Sequence, residues 1–248
     1  MQLIVDNLAL ERGGRTIWRD LSFTIAAGQA LLLTGPNGSG KTSLLRALAG
    51  LLPHASGAIR LDGGDPERGI GEQAHFIGHL NAIKPALTVS ANLNFWARYL
   101  GGLPSTGPPS PSRPARIRTT WGGARGGGNP DVGVNPPSAG APSPITAALS
   151  AFDLAPLADI PAAYLSAGQK RRLGLARLLI AARPVWLLDE PTAALDRASA
   201  ARVTAIANAH LASGGLIIAA THLPLDLDNA ATLELGATPA TTAKAHPA

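Results

Sequence analysis

The chain has 248 residues, no cysteine and a formal net charge of +5. This length allows one large domain or two small ones, and the lack of cysteine excludes a disulfide framework and a cysteine-ligated metal site. The longest apolar runs, such as residues 216–220, are far shorter than the ~18 residues that a membrane-spanning helix needs, so we expect a soluble chain.

The positive charge is concentrated in one segment. Residues 103–144 contain four arginines and one aspartate, a local excess of +3, which leaves +2 for the rest of the chain. No other dense basic run with interleaved aromatic residues is present. Because such runs are typical of nucleic-acid-binding domains, we expect no nucleic-acid partner.

The N-terminal third predicts strands followed by a strand, a loop and a helix. Apolar residues alternate loosely over residues 3–25 and are interrupted at Gly13-Gly14, a pattern typical of antiparallel strands joined by a turn. Residues 29–34 form an apolar run of strand length, and leucines recur at helical spacing over residues 42–52. Residues 58–61 and 74–78 predict further strands, and residues 91–100 predict a helix.

The loop before that first helix matches the pattern G-x-x-x-x-G-K-[ST] at every fixed position. Its glycines let backbone N–H groups point at phosphate oxygens, and the helix N-terminus adds a favourable dipole. Lysine supplies a charge to the β- and γ-phosphates, and the threonine hydroxyl is a ligand for Mg²⁺. The alternative, a glycine-rich turn that contains lysine by chance, fits the strand and helix on either side poorly. The loop residues are Gly35, Pro36, Asn37, Gly38, Ser39, Gly40, Lys41 and Thr42.

Residues 103–144 differ in composition from the rest of the chain. They hold ten of the 21 prolines and eight of the 28 glycines. Proline and glycine weaken helices and strands, and the segment has few apolar side chains to offset the entropy of ordering. We expect a disordered insert here and a flexible tail over residues 236–248.

The C-terminal half predicts two buried strands that end in chemically useful residues. The apolar run 185–188 ends in Asp189-Glu190, and the run 216–220 ends in Thr221-His222, with a helix near residues 198–211 between them. Ligands bind beyond the carboxyl ends of parallel strands, so these residues should meet the phosphate loop at one edge. We expect Asp189 to hold Mg²⁺, Glu190 to polarise a water aimed at the γ-phosphate, and His222 to contact that phosphate.

A second anion site is predicted after the helix expected over residues 145–152. Leu165-Ser166-Ala167-Gly168-Gln169 places a hydroxyl and a glycine at a helix N-terminus. The phosphate loop already serves a nucleotide in the same chain, so this site is best explained by a nucleotide held by a second copy. Lys170-Arg171-Arg172 then predicts a solvated helix face.

The combined motifs resemble those of the ATP-binding cassette (ABC) ATPases, outside the proline-rich insert. The resemblance implies an α/β fold: a P-loop NTPase cassette with a parallel core sheet, an N-terminal antiparallel β subdomain and a helical subdomain. Residues 1–78 and 165–235 would form the core with its antiparallel subdomain, and residues 79–164 the helical subdomain. It also implies ATP and Mg²⁺ as ligands and a head-to-tail dimer that sandwiches two ATP molecules.

The resemblance assigns roles to individual residues. Gly35–Thr42 and the adjoining Ser43 look like Walker A, Val185–Glu190 like Walker B, and Leu165–Gln169 like the ABC signature. The catalytic residues would be Glu190, His222 and Lys41, and the Mg²⁺ ligands Thr42 and Asp189. Ser166, Ala167, Gly168 and Gln169 would contact the other copy's ATP, Asp196 belongs to the D-loop, and His79 occupies the Q-loop position. The position near Arg12, where the family often stacks an aromatic side chain on adenine, is not aromatic; Trp18, close by, is better explained by core packing.

Within the family, the residues around His79 and Ala167 are similar to the CcmA-type ATPase of cytochrome c maturation, a haem exporter subunit. Most ABC ATPases have glutamine and glycine at these two positions. The similarity implies a CcmB-like membrane permease as partner and a location at the cytoplasmic face of the bacterial inner membrane. Three alternatives remain open at this point: an exporter ATPase for another cargo such as lipoprotein or drug, a non-transport ABC ATPase of DNA repair or translation, and a regulatory subunit that binds ATP without turnover.

Overall fold

The computed structural model describes residues 1–13, 15–101 and 142–236. Predictions for the remaining residues, which include most of the proline-rich segment and the C-terminal tail, lie outside this range. Within the described part, no helix combines the length and apolar character needed to cross a membrane.

Two sheets organise the chain. The first is antiparallel, in the order β2-β1-β4, and contains β1 (Gln2–Arg12), β2 (Arg15–Ala26) and β4 (Ser56–Asp62). The second is parallel, in the order β5-β6-β7-β3-β8. Its strands are β3 (Ala30–Thr34), β5 (Ala74–Ile77), β6 (Val185–Asp189), β7 (Leu216–Ala220) and β8 (Ala230–Glu234). The predicted α/β class, with a parallel core sheet and an antiparallel N-terminal sheet, is confirmed.

Six helices accompany the sheets in the described residues. They are α1 (Lys41–Leu48), α2 (Ile70–Gln73), α3 (Val89–Tyr99), α4 (Pro144–Ala151), α5 (Ala167–Ala176) and α6 (Arg197–Ala212). Three short 3₁₀ turns lie at Ala155–Leu157, Ala162–Tyr164 and Arg177–Leu179. The subdomain boundaries expected from the sequence remain a prediction.

Alternate residues of the parallel strands point to two separate cores. Trp186 and Leu188 belong to the core beneath the helices α3 to α6. Val185 and Leu187 of the same strand belong to a core shared with α1 and the antiparallel sheet. A strand covered on both faces needs a continuous apolar run, which explains why β6 and β7 are buried at every position.

Some element boundaries differ from the prediction. Helix α1 ends at Leu48, four residues early, because Gly50 adopts a left-handed φ of 70° that terminates the helix. Leu51 is consequently 63% exposed and does not extend the apolar stripe. Helix α4 begins at Pro144 with Ser143 as its N-cap, so the expected insert extended two residues too far. Strand β8 was missed because it lies at the sheet edge, and its sequence, Ala-Ala-Thr-Leu-Glu, has no continuous apolar run that would predict a buried strand.

His75, in β5, makes the stability of this fold dependent on pH. Its side chain is 2% exposed, and Nε2 lies 2.8 Å from the carbonyl oxygen of Ala181. Burial, reinforced by nearby arginines and opposed by that hydrogen bond, lowers the pKa of His75 from 6.5 to about 4. Between pH 6.5 and about 4, His75 is therefore protonated in the unfolded chain but stays neutral in the folded chain.

We expect the free energy of unfolding to fall as the pH is lowered from about 6.5 to about 4. The contribution of His75 to this loss should total about 3 kcal/mol, since each unit of pKa difference is worth ~1.4 kcal/mol. Urea unfolding at several pH values measures it for the wild type, for His75→Gln and for the exposed control His54→Gln. The pH slope should be reduced in His75→Gln alone; equal slopes in all three chains would contradict the assignment.

Candidate active site

The phosphate loop follows β3 and ends where α1 begins. Gly35 and Gly40 have φ angles of 121° and 97°, a region that favours glycine. A Cβ at Gly35 would lie 2.1 Å from the carbonyl oxygen of Leu235, and one at Gly40 would lie 2.6 Å from Nε1 of Trp18. Gly40 is the N-cap of α1, and no side chain caps it. The first N–H groups of the helix are thus left for an anion.

The side chain of Lys41 runs back across this loop, so its ammonium group lies against the loop's backbone. The side chain is only 8% exposed. Its ammonium donates to the carbonyl oxygens of Gly35 at 2.6 Å and Pro36 at 3.0 Å. These contacts hold the positive charge within the loop. The charge and the backbone amides of the loop both favour a bound anion.

Thr42 and Asp189 meet although they are 147 residues apart in sequence. The hydroxyl of Thr42 lies 3.1 Å and 3.0 Å from the two carboxylate oxygens of Asp189. Both side chains offer the hard oxygen ligands that Mg²⁺ prefers, and Mg²⁺ is usually bound by one or two carboxylates together with substrate phosphates. The pair therefore fits Mg²⁺. Among the described residues, no group of three or more His, Cys, Asp or Glu side chains is arranged to hold a metal ion.

Glu190 is held in an unusual backbone conformation next to His222. Its φ angle is 50°, and its N–H donates to the carbonyl oxygen of Ala220 at 2.8 Å. One carboxylate oxygen lies 3.5 Å from Nε2 of His222, and the other accepts the backbone N–H of His222 at 3.3 Å. The side chain of Glu190 is 21% exposed, which leaves it access to water.

Strand order explains why these groups converge. Strands β5, β6, β7 and β3 are successive neighbours in the parallel sheet, so the segments that follow them share one edge. A pocket of about 460 Å³ lies there. The predicted site residues that line it are Asn37, Gly38, Gly40, Lys41, Thr42, Ser43, His79, Asp189, Glu190 and His222.

One lining residue was missed by the sequence reasoning, and a second was expected only as part of the D-loop, which the resemblance places at Ala193–Asp196. Ile17 comes from β2 and Ala193 from the turn after Glu190. Neither side chain carries a chemical signal, and Ile17 reaches the pocket only because the antiparallel sheet packs beside the phosphate loop. Trp18 packs against the core shared by the two sheets, as expected.

The predicted signature lies outside this pocket. Ser166 is the N-cap of α5: its hydroxyl accepts the N–H of Gln169 at 3.2 Å, and the side-chain oxygen of Gln169 accepts the N–H of Ser166 at 2.8 Å. Ser166 and Ala167 are exposed. One chain therefore does not bring its signature to its own phosphate loop.

Asp196 has a structural role at the start of α6. Its carboxylate accepts the N–H of Ser199 at 2.7 Å and caps the helix. This hydrogen bond lowers the pKa of Asp196. The predicted D-loop turn also touches α5, because a Cβ at Gly168 would lie 3.1 Å from the carbonyl oxygen of Ala194.

The expectation of a solvated face over Lys170-Arg171-Arg172 is wrong for Arg171. Its side chain is 4% exposed. The guanidinium donates to the carbonyl oxygens of Asp189 at 2.7 Å and Glu190 at 2.6 Å, directly behind the acidic pair. Acceptors from distant segments allow the charge to be buried, and the local sequence does not reveal them.

Comparison with known proteins identifies the family of the chain. The ABC transporter family profile matches residues 18–193. The chain belongs to the ABC transporter family. The resemblance predicted from the motifs is thus confirmed, and membership of this family implies that the chain binds a nucleotide.

Curated relatives match over nearly their whole length. The "Cytochrome c biogenesis ATP-binding export protein CcmA" of Nitrobacter winogradskyi is 48% identical over 92% of this chain and 94% of the relative. The protein of the same name from Rhodopseudomonas palustris strain BisB5 is 46% identical over 87% and 89%. Among solved structures, an ABC transporter ATP-binding protein from Pyrococcus furiosus has a TM-score of 0.70 at 20% identity, covering 95% of this chain and 98% of that one, which supports the fold.

Proposed function

We propose that this chain is the ATP-hydrolysing subunit of an ABC exporter for c-type cytochrome biogenesis, with haem as the exported cargo. The observation that carries the hydrolytic part is the convergence of Lys41, the Thr42–Asp189 pair and Glu190 with His222 on one pocket. The cytochrome part rests on the two relatives described as cytochrome c biogenesis export proteins, which this chain matches over most of their length.

In the reaction we propose, water attacks the γ-phosphorus of ATP in line with the bond to the oxygen that bridges the β- and γ-phosphates; this bond breaks, and ADP leaves with the bridging oxygen. The loop amides, Lys41 and His222 stabilise the charge that develops on that phosphate. Glu190 orients the water and accepts its proton, which its partial exposure permits. Mg²⁺ bound with the nucleotide supplies charge neutralisation at the phosphates, and Thr42 with Asp189 would hold it.

Two copies of the chain are needed for this reaction in our proposal. The signature at Ser166 is exposed and lies away from the pocket lined by Lys41 and Glu190. A helix N-terminus with a hydroxyl and a glycine suits the phosphates of a nucleotide bound to a second copy. Each ATP would be enclosed by the Walker motifs of one subunit and by Ser166, Ala167, Gly168 and Gln169 of the other.

A groove beside the active site suits the membrane subunit, a CcmB-like permease in this proposal. Its volume is about 1020 Å³, and its lining includes Leu80 and Tyr99, which are 82% and 72% exposed. Four arginines and one glutamate also line it: Arg46, Arg68, Arg177, Arg183 and Glu72. Exposed apolar surface framed by positive charge suits a partner segment that is apolar and carries an acidic side chain. His79 lines both the groove and the active-site pocket.

The function is tested in a strain that lacks the gene for this chain, scored by haem staining of c-type cytochromes. The strain should lack them, and the wild-type chain, acting at the cytoplasmic face of the inner membrane, should restore them. Tyr99→Asp should restore them poorly while the purified variant keeps its ATPase rate, because a buried charge opposes partner docking. Ile160→Asp, at a 41% exposed apolar residue outside the groove lining, is the control. Normal cytochromes in the deletion strain would overturn the proposal.

A further inference from the structure

Arg171 is a buried cation that the mechanism above does not use. It lies on α5, about one helical turn after the exposed signature residues at the start of that helix. Burial lowers the pKa of its guanidinium, and the carboxylates of Asp189 and Glu190 act in the opposite direction. The nearby negative charges thus help to keep a cation in the interior.

The contacts of Arg171 join three separate parts of the site. Its nitrogens donate to the carbonyl oxygens of Asp189, Glu190 and Pro191, the last at 3.2 Å. They also donate to the carbonyl oxygen of Gly78 at 2.9 Å and to the side-chain oxygen of Asn81 at 3.0 Å. One side chain therefore bonds the segment after β6 and the segment around His79 to the helix that carries the signature.

The most consequential of these contacts is at Glu190. A non-glycine residue with a φ of 50° is in a sparsely populated conformation that persists only when its surroundings impose it. The backbone carbonyl oxygen of Glu190 accepts a hydrogen bond from the Arg171 guanidinium at 2.6 Å. The backbone N–H of Glu190 donates to the carbonyl oxygen of Ala220. Together these contacts orient the carboxylate toward His222.

We infer that Arg171 is a positioning residue for ATP hydrolysis: it holds Glu190 and the segment around His79 in register with the signature helix. The inference rests on the proposed ATPase function, and it assigns Arg171 no contact with ATP. Arg172, its neighbour, has a different role, because it donates to the carbonyl oxygen of Phe152 at 3.0 Å and lies near Asp153. Arg172 is therefore a matched control on the same helix.

Removing Arg171 should lower turnover without lowering ATP affinity. In Arg171→Ala we expect kcat to fall about 100-fold, the usual cost of displacing a catalytic group by about 1 Å. The dissociation constant for ATP should change less than about threefold, since the phosphate loop is intact. Millimolar guanidinium ion should then restore at least about tenfold of the lost rate by binding among the vacated carbonyl oxygens, at concentrations far too low to denature the chain. Arg172→Ala should show neither the kcat loss nor the rescue.

Hydrogen exchange of the backbone N–H groups of Asp189, Glu190 and Thr192, which lie on either side of Pro191, provides a second readout that does not depend on turnover. Exchange should be faster in Arg171→Ala, slower again with guanidinium, and unchanged in Arg172→Ala. If the wild type does not hydrolyse ATP, the proposed function fails and exchange alone decides the role of Arg171. If Arg171→Ala does not fold, Arg171→Gln carries the same kcat and exchange measurements. Wild-type kcat and exchange in the Arg171 variant, or equal guanidinium effects in both arginine variants, would overturn the inference.

Discussion

Glu190→Gln is expected to hydrolyse ATP at least about 100-fold more slowly than the wild type, because general-base catalysis contributes about 10² to 10⁴ in rate. Glutamine has nearly the same shape but cannot accept the proton of the attacking water. Glu190 is the carboxylate that faces His222 at 3.5 Å and remains accessible to solvent. Asp189, by contrast, is occupied by the Thr42 hydroxyl and is 4% exposed.

The variant should retain ATP binding, because Lys41 and the loop amides do not depend on the Glu190 carboxylate. Steady-state phosphate release gives kcat, and equilibrium titration with ATP gives the affinity. Glu67→Gln, at an exposed acid outside the pocket, is the control and should behave as the wild type. Wild-type turnover in Glu190→Gln would remove Glu190 from the mechanism, and a regulatory subunit that only binds ATP would show no turnover in any of these chains.

Mixing two inactive variants is expected to restore activity. Lys41→Met removes the charge from the phosphate loop and should abolish tight ATP binding in its own chain. Ser166→Asp keeps the helix N-cap, since aspartate caps as well as serine, but places a negative charge where the other copy's phosphates would lie. Each variant alone should lack detectable ATPase activity.

The recovery follows from the symmetry of the proposed dimer. A mixed dimer has one site with both elements intact and one site with both changed. Random exchange in an equal mixture should therefore yield about a quarter of the wild-type activity. The wild-type rate should also rise faster than linearly with protein concentration, because the monomer has incomplete sites. No recovery on mixing, together with a linear concentration dependence, would mean that each chain completes its own site.

Much of the site was predictable because its chemistry is contiguous in sequence. The phosphate loop occupies eight consecutive residues between an apolar run and a leucine stripe, and Asp189-Glu190 follows a run without any polar interruption. The reason is local: backbone conformation depends on glycine placement, and a strand covered on both faces needs an unbroken apolar run. The same reasoning failed at β8, whose edge position removes that requirement, and at the end of α1, where Gly50 outweighed the leucine spacing.

The sequence by itself determined the α/β class, the phosphate loop and the acidic and histidine ends of two buried strands. Only the tertiary structure decided the strand order, in which β5, β6, β7 and β3 are successive neighbours. This order brings Glu190 and His222 to the phosphate loop, as expected, together with His79. The tertiary structure also decided that Ile17 lines the pocket and that Arg171 is buried behind Glu190. The physical reason is that a residue's environment depends on segments far along the chain: a lysine–arginine–arginine run has the composition of a solvated face until distant carbonyl groups are placed around one of its members.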